Sequence, residues 1–244
     1  EIYTLSLHDA LPISIHLPGI AFHNDRVMDS TAALELPDIP ERLLVIGGGY
    51  IGLEMGTVYA TLGSHVTLVE MTDGLLPGVD RDLVQPLRRR VDKLFAAIHL
   101  ETKVTALREV GAGIEADLEG QGAQRFDRVL VAVGRRAQSD GLGLEATRAR
   151  LTERGRFVQV NDRCRTDDAR IYAVGDVTGE PMLAHRAMRQ GKVAAEALAG
   201  RPAAFDNVAI PAVVFTDPEI AWCGLSEAQA KDQGLTVKIG RAHV

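Results

Sequence analysis

The stretch RLLVIGGGYIGLEMG, residues 42–56, decides the fold. RLLVIGG (42–48) is an apolar run ending in glycines, as is typical of a buried parallel strand, and YIGLEMGTVYATLG (50–63) has helical spacing of apolar residues. Between them Gly47, Gly49 and Gly52 form the pattern G-x-G-x-x-G. Gly47 permits a tight turn, Gly49 leaves room for a pyrophosphate, and Gly52 lets the helix lie close to the strand. The stretch predicts a dinucleotide-binding βαβ unit, in which the helix N-terminus offers N–H groups to the phosphates.

An acidic residue completes this unit. HVTLVE (65–70) is predicted as the second strand, and its last residue, Glu70, lies 18 positions beyond Gly52. A carboxylate there can accept hydrogen bonds from both hydroxyls of an adenosine ribose, and it repels a 2′-phosphate. Positions 71–76 contain no arginine that could receive such a phosphate. The sequence therefore predicts binding of NAD rather than NADP.

Working outward, the patterns predict an α/β architecture with a Rossmann-like parallel sheet and a β-meander. We expect a helix over Asp80–Phe95 and strands at Lys103–Arg108, Gly113–Leu118 and Arg125–Val133. The last three form the predicted meander, which ends in VLVAVG (129–134). Helices are expected on both faces of the sheet across 40–134. On the first helix, the predicted apolar positions are Ile51, Met55, Val58, Tyr59 and Leu62.

A second block follows this domain. Short strands are predicted over 156–166, a buried strand over RIYAVGD (170–176), and an Ala-rich helix over 184–200. Asp176, after a glycine at the end of a strand, is placed either to bind a ribitol or ribose hydroxyl or to cap a helix. The segment 210–225 is strand-like, and Ser226 with Gln229 has the spacing of a capping box that starts a helix.

Composition excludes several classes of function. The net charge of −6 and a longest basic run of three arginines, Arg88–Arg90, argue against nucleic acid binding. No run approaches 18 apolar residues, so no membrane span is expected. The two cysteines lie 59 positions apart, which predicts neither a zinc site nor a local redox dithiol. Few cysteines and no recognisable export signal favour a cytoplasmic setting.

The order of several segments resembles the flavin-dependent pyridine nucleotide-disulfide oxidoreductases. The segments are GGGYIGLEMG (47–56), VTLVE (66–70), VLVAVGRR (129–136), IYAVGD (171–176), PMLAH (181–185) and IPAVVFTDPEIAWCG (210–224). The similarity covers roughly 15–238. Within the family, PMLAH and Glu70 make the chain look most like the dihydrolipoamide dehydrogenase branch, which oxidises dihydrolipoyl groups of 2-oxo-acid dehydrogenase complexes with NAD as acceptor.

This resemblance implies two cofactors, NAD and FAD, and a role for each matching residue. The glycine turn would hold the NAD pyrophosphate, Glu54 would lie near the nicotinamide, Val104 would flank the adenine, and Gly134 would border the cofactor. Asp176 would bind the flavin ribitol, and the backbone N–H of Ala184 would contact the flavin. The full set of implied cofactor-binding residues is Gly47, Gly48, Gly49, Tyr50, Ile51, Gly52, Glu54, Glu70, Val104, Gly134, Asp176, Met182, Leu183, Ala184 and His185. After Arg136 the chain departs from the family, which continues with proline where Ala137 stands here.

The resemblance also divides the chain. It implies a linker over 15–38, an NAD-binding domain over 39–145, a second part of an FAD-binding domain over 146–205, and the start of a dimerisation domain over 206–238. The ends 1–14 and 239–244 do not continue the patterns and are interpreted as non-native tails. The sequence contains neither the family's C-x-x-x-x-C pair nor its catalytic His–Glu pair, so no catalytic residue is assigned, and we expect an inactive internal fragment of a homodimeric enzyme.

Two alternatives remain open from the sequence. One is a fragment of another NADH-dependent flavoprotein reductase, acting on a different disulfide or on mercury. The other is a non-catalytic NAD-binding module.

Overall fold

The structure is a computed structural model that describes residues 11–15, 25–152 and 156–240. The predicted tails lie largely outside these ranges, as does part of the predicted linker. The chain divides into two compact units. The larger unit comprises Ser14–Gly134 and Pro211–Val244, and the smaller unit comprises Glu1–Ile13 and Arg135–Ile210.

The elements alternate between strands and helices in the first half of the chain. The strands are β1 (Ile13–Ser14), β2 (Val27–Met28), β3 (Arg42–Ile46), β4 (His65–Val69), β5 (Ala97–His99), β6 (Val104–Val110), β7 (Gly113–Leu118), β8 (Gly122–Phe126), β9 (Arg128–Val131), β10 (Arg135–Arg136), β11 (Ala212–Val214) and β12 (Ile220–Trp222). The α-helices are α1 (Ser30–Leu34), α2 (Tyr50–Thr61), α3 (Arg81–Leu94), α4 (Ala184–Leu198) and α5 (Glu227–Asp232). Two 3-10 helices span Leu144–Ala146 and Gly175–Thr178.

A five-stranded parallel sheet is the centre of the larger unit. Its strand order is β2-β9-β3-β4-β5, and every neighbouring pair runs parallel. Leu43–Ile46 align residue by residue with Val66–Val69, which confirms the predicted βαβ unit.

The two faces of this sheet have different covers. Leu43 and Val45 belong to a core that includes residues of α1, α2 and α3, whereas Leu44 and Ile46 pack in a second core with the β6-β7-β8 meander. Successive side chains of a strand point to opposite faces, so the apolar run 43–46 serves both cores. The expectation of helices on both faces is therefore wrong: the meander takes the place of helices on one of them.

Helix α2 packs through a face that matches the predicted one in part: Tyr59 is buried, and Ile51 and Met55 are half-buried against the same core. Its fully buried residues are Gly52, Leu53, Gly56 and Tyr59, whereas Val58 and Leu62 are exposed. Glycines let the helix approach its neighbours closely, and a Cβ at Gly56 would lie 2.9 Å from the ring of Phe95. The spacing of large apolar residues does not reveal a buried helix face that contains glycines.

The predicted third meander strand is in fact two strands. β8 pairs antiparallel with β7, whereas β9 leaves the meander and pairs parallel with β3. The change occurs at Asp127, whose backbone N–H donates to the carbonyl of Arg42 and whose carboxylate accepts from the backbone N–H of Arg42. The short strands β2 and β5 were not predicted, because two or three residues are too few for a period to be recognised.

The smaller unit contains little regular structure apart from α4 and its 3-10 helices. The buried strand predicted at 170–176 is wrong: Tyr172 forms one isolated bridge with Arg165, and the chain enters a 3-10 helix at Gly175. Of the short strands predicted at 156–166, two isolated bridges are present, at Val158 and Arg165. A strand requires hydrogen-bonded neighbours, and the described residues of this unit provide no extended one here.

The segment 211–240 begins with a hairpin, β11 and β12, that packs on the larger unit. Val214 and Ile220 are buried in the same core as helices α2 and α3. The predicted capping box is present: the Ser226 hydroxyl accepts from the backbone N–H of Gln229, whose side chain accepts from the backbone N–H of Ser226.

Candidate functional site

The glycine turn between β3 and α2 is built on backbone contacts that exclude side chains. Gly47 has φ +113°, a conformation that favours glycine, and a Cβ there would collide with the carbonyl oxygen of Ala132. A Cβ on Gly52 would collide with the carbonyl oxygen of Gly47. These two glycines therefore fix how closely α2 approaches β3 and β9.

Gly49 differs from its neighbours because it faces open space. It is the N-cap residue of α2, no side chain caps this helix end, and a Cβ on Gly49 would meet no atom within 4 Å. An uncapped helix N-terminus beside open space can receive an anion, since its N–H groups and the helix dipole both favour negative charge.

Glu70 follows β4 and is 9% exposed. Its Oε2 accepts from the backbone N–H of Gly48 at 2.6 Å, and its Oε1 accepts from the backbone N–H and hydroxyl of Thr72 at 2.8 and 2.9 Å. The carboxylate is thus held beside the glycine turn. Oε2 has a further acceptor site, and Oε1 gains one when the Thr72 hydroxyl donates to the carbonyl oxygen of Gly74, at 3.0 Å, instead.

A cavity of about 550 Å³ joins these features within the larger unit. Seven residues of the predicted set line it: Gly47, Gly49, Tyr50, Ile51, Glu70, Val104 and Gly134. Gly48 and Gly52 lie beneath it, because Gly48 faces Glu70 and Leu75 and Gly52 packs on Gly47. Its walls are mostly apolar, with a carboxylate and the ammonium-bearing Lys103 among them.

Glu54 does not line this cavity. It lies one turn along α2, where its Oε1 accepts from the backbone N–H of Phe215 at 2.8 Å. The structure therefore separates Glu54 from the rest of the predicted dinucleotide residues and connects it to the β11–β12 hairpin.

The predicted flavin residues lie together in the smaller unit. Asp176 is half-buried in the 3-10 helix Gly175–Thr178, and burial raises the pKa of its carboxyl while the positive charges of Arg135 and Arg186 oppose that shift. Met182 and Leu183 are half-buried, and α4 begins at Ala184 and His185, which are exposed; Leu183 is its N-cap residue.

Side chains of α4 fix the turn that carries Asp176. Gln190 accepts from the backbone N–H of Gly175 at 2.7 Å, and the guanidinium of Arg186 donates to the carbonyl oxygens of Gly175 and Gly179 at 3.2 and 2.7 Å. Sequence analysis missed Arg186 and Gln190. Their spacing of four residues on one helix face was the only signal available.

Sequence analysis also missed part of the dinucleotide cavity. Met71, Pro77 and Lys103 line it, and Thr72 holds Glu70, although no motif marks these positions. Within the described ranges, no three His, Cys, Asp or Glu residues cluster as a metal site would require. Among the same residues, no helix is long and apolar enough to cross a membrane.

Comparison with known families agrees with this fold. The model of the pyridine nucleotide-disulphide oxidoreductases matches residues 10–191, and the model of the dimerisation domain of the same proteins matches residues 210–244. The chain belongs to the pyridine nucleotide-disulphide oxidoreductase family.

Two curated relatives carry the same enzyme name. The dihydrolipoyl dehydrogenase of Vibrio parahaemolyticus is 44% identical over 229 residues, which are 92% of this chain and 48% of that protein. The dihydrolipoyl dehydrogenase of Haloferax volcanii is 46% identical over 232 residues, or 93% of this chain and 49% of that protein. The chain thus spans about half the length of the curated relatives it matches.

A solved structure with the same fold is the HOCl-induced flavoprotein disulfide reductase from Escherichia coli. Its TM-score is 0.82 at 28% sequence identity, and the match covers 91% of this chain and 52% of that one.

Proposed function

We propose that the larger unit binds NAD in the cavity beside the glycine turn. The pyrophosphate lies at the N-terminus of α2, over Gly49, and the adenosine ribose donates its hydroxyls to Glu70. Tyr50 and Ile51 begin α2 beside the phosphates, Val104 borders the cofactor from β6, and Gly134 borders it from the segment between β9 and β10. The open space above Gly49 fits this assignment, because a side chain there would enter the place of the phosphates.

The observation that carries the proposal is the position of Glu70. Its carboxylate is held by Gly48 of the phosphate-binding turn itself, so the ribose and phosphate sites share one hydrogen-bonded frame. A fixed negative charge favours two hydroxyl donors and disfavours a 2′-phosphate. The site therefore selects NAD over NADP.

We further propose that the smaller unit contributes part of an FAD site. Asp176 would hold the ribitol, and Met182, Leu183, Ala184 and His185 at the start of α4 would contact the flavin. The uncapped N-terminus of α4 and the half-buried carboxylate fit a polar ligand. FAD, when bound, would carry electrons between a dithiol and NAD. Glu54, which lies one turn along α2 from the cavity, would serve near the nicotinamide.

For the whole protein we propose a dihydrolipoyl dehydrogenase that oxidises dihydrolipoyl groups of 2-oxo-acid dehydrogenase complexes. The names of the curated relatives support this activity, and the dimerisation-domain match supports a homodimer. The domain ranges proposed are 39–145 for NAD, 146–205 for FAD and 206–238 for dimerisation. A cytoplasmic location accords with this role.

The test is a titration of the purified chain with NAD and NADP. Replacing Glu70 with Ala should reduce the preference for NAD by on the order of 2–4 kcal/mol, the size of a lost charged hydrogen-bond pair. The control is Glu109→Ala, which removes an exposed carboxylate from β6. An unchanged NAD/NADP ratio in Glu70→Ala would refute the assignment.

A further inference from the structure

The loop between β4 and α3, residues 71–80, forms one wall of the dinucleotide cavity. Met71 and Pro77 line the cavity directly, and Leu75 and Leu76 are almost fully buried beneath it. The backbone N–H of Leu76 donates to the carbonyl oxygen of Gly48 at 2.9 Å, so the loop is bonded to the glycine turn. Leu76 has φ +49°, a left-handed conformation that a leucine adopts at a cost. Such a loop requires something to hold it.

Arg81, the first residue of α3, supplies that hold. Its Nε donates to the carbonyl oxygen of Val79 at 3.0 Å, Nη1 to that of Leu75 at 2.8 Å, and Nη2 to those of Leu76 and Val79 at 2.7 and 2.6 Å. These bonds use four of the five N–H donors of the guanidinium. The guanidinium distributes these donors over three nitrogens in a rigid plane, whereas an ammonium has three donors on one nitrogen.

Gly74 provides the space for this arrangement. A Cβ at Gly74 would lie 2.5 Å from Nη1 of Arg81, so the guanidinium reaches the loop carbonyls only because position 74 has no side chain. The same loop holds Glu70, since the hydroxyl of Thr72 lies 2.9 Å from Glu70 Oε1 and 3.0 Å from the carbonyl oxygen of Gly74. Arg81, Gly74, Thr72 and Glu70 thus form one connected frame.

We propose that Arg81 is a positioning residue for the adenosine half of NAD. It holds the loop 71–80 in place before the cofactor binds. Binding therefore does not have to order this wall of the cavity, and the affinity is higher. Its guanidinium is committed to backbone carbonyls, so it does not serve as a receiver for a 2′-phosphate. This inference rests on the proposed NAD site.

The experiment measures affinity for ADP-ribose, which contains the adenosine half and both phosphates, and for NAD. Arg81→Met should weaken both by about tenfold, since several hydrogen bonds to the loop are lost while the cofactor partly reorders it. Arg81→Lys keeps the charge but has fewer donors, all on one nitrogen, so it should restore only part of the affinity. Arg89→Met is the control, because it removes the same charge from an exposed position on the same helix.

For each variant, thermal unfolding of the whole chain and hydrogen exchange within residues 71–80 are measured alongside the titration. We expect faster exchange in this peptide in Arg81→Met, with exchange in β3 and β4 unchanged. Wild-type affinity in a folded Arg81→Met, or full recovery in Arg81→Lys, would overturn the proposal, the latter by showing that charge alone suffices. If the wild-type chain bound no ADP-ribose, the proposed NAD site itself would fail, which is a separate result.

Discussion

At the residue scale, Thr72 determines how firmly Glu70 is held. It provides two of the three hydrogen bonds to the carboxylate described above, one from its backbone and one from its hydroxyl, while Gly48 provides the third. The backbone donors survive any substitution at position 72 except proline. Only the hydroxyl can be removed selectively.

Replacing Thr72 with Val removes that hydroxyl while keeping the shape of the side chain. We expect NAD affinity to fall about threefold to tenfold, since one hydrogen bond to a charged group is lost, and Thr72→Ser to retain it. Calorimetric titration of NAD measures the change. In the Glu70→Ala background the same substitution should have no further effect; an equal loss in both backgrounds would show that Thr72 acts elsewhere.

Asp176 illustrates a residue whose proposed role conflicts with stability. Burial raises the pKa of its carboxyl above the ordinary value of 3.8, so the folded chain holds this proton more tightly than the unfolded chain. Stability therefore falls as pH rises from 3.8 through the folded pKa, and the full penalty is present at higher pH.

Replacing Asp176 with Asn should raise the thermal unfolding midpoint at pH 7, and this gain should shrink as pH falls toward 3.8. Asp167→Asn is the control, since it removes an exposed carboxylate that pairs with Arg150 in the same unit. Scanning calorimetry at several pH values tests the sign. A lower midpoint for Asp176→Asn at pH 7 would contradict it.

At the scale of elements, the junction of β3 and α2 contains one glycine that matters for stability and another that matters for cofactor binding. Gly52→Ala places a Cβ against the carbonyl oxygen of Gly47, so α2 must move, and we expect a loss of about 1–3 kcal/mol in the free energy of unfolding. Gly49→Ala meets no atom and should change that free energy by less than about 1 kcal/mol. NAD affinity should nevertheless fall at least about tenfold in Gly49→Ala, because its methyl group enters the phosphate site. Urea unfolding and NAD titration of both variants give the comparison, and a fully binding Gly49→Ala would contradict the placement of the pyrophosphate.

The elements that the sequence predicted best are those whose local signals agree with their tertiary surroundings. Strands β3 and β4 are buried on both faces after their exposed first residues, and α5 begins at its predicted capping box. The division between β8 and β9 could not be read from the sequence, because it depends on hydrogen bonds of Asp127 to the distant Arg42. The prediction of a strand over 170–176 is wrong because composition alone supports it. The fold gives this segment only one bridging partner.

The candidate site likewise contains some residues that the sequence predicts and others that it does not. The glycine turn and Glu70 were predictable because each position needs a particular residue type for a backbone or charge reason. Thr72 and Pro77 lie in the loop that follows Glu70, and Arg81 begins the helix after it; many sequences can form such a wall. Their roles emerge only from the carbonyl groups and the carboxylate that the fold places around them.

At the scale of the whole molecule, the proposed NAD site and the proposed flavin site belong to different units. All the residues that line the dinucleotide cavity lie in Ser14–Gly134, whereas Asp176 and 182–185 lie in Arg135–Ile210. The printed sequence contains a single G-x-G-x-x-G, at 47–52, and this turn is already assigned to NAD. A second phosphate-binding turn for the flavin is not among its motifs.

We therefore expect the 244-residue chain to bind NAD but to retain little FAD and to have no dihydrolipoamide activity. A flavin pyrophosphate would lack the backbone donors that a glycine turn provides. The thiol chemistry requires two neighbouring cysteines, but Cys164 and Cys223 are 59 positions apart in sequence, Cys164 is buried, and burial raises the pKa of its thiol. The measurements are the flavin absorbance of the purified chain and NAD reduction with dihydrolipoamide, with NAD titration as the control for folding. Stoichiometric yellow flavin together with lipoamide turnover would show that the chain is a complete enzyme, and NAD binding without either would agree with the division of sites between the two units.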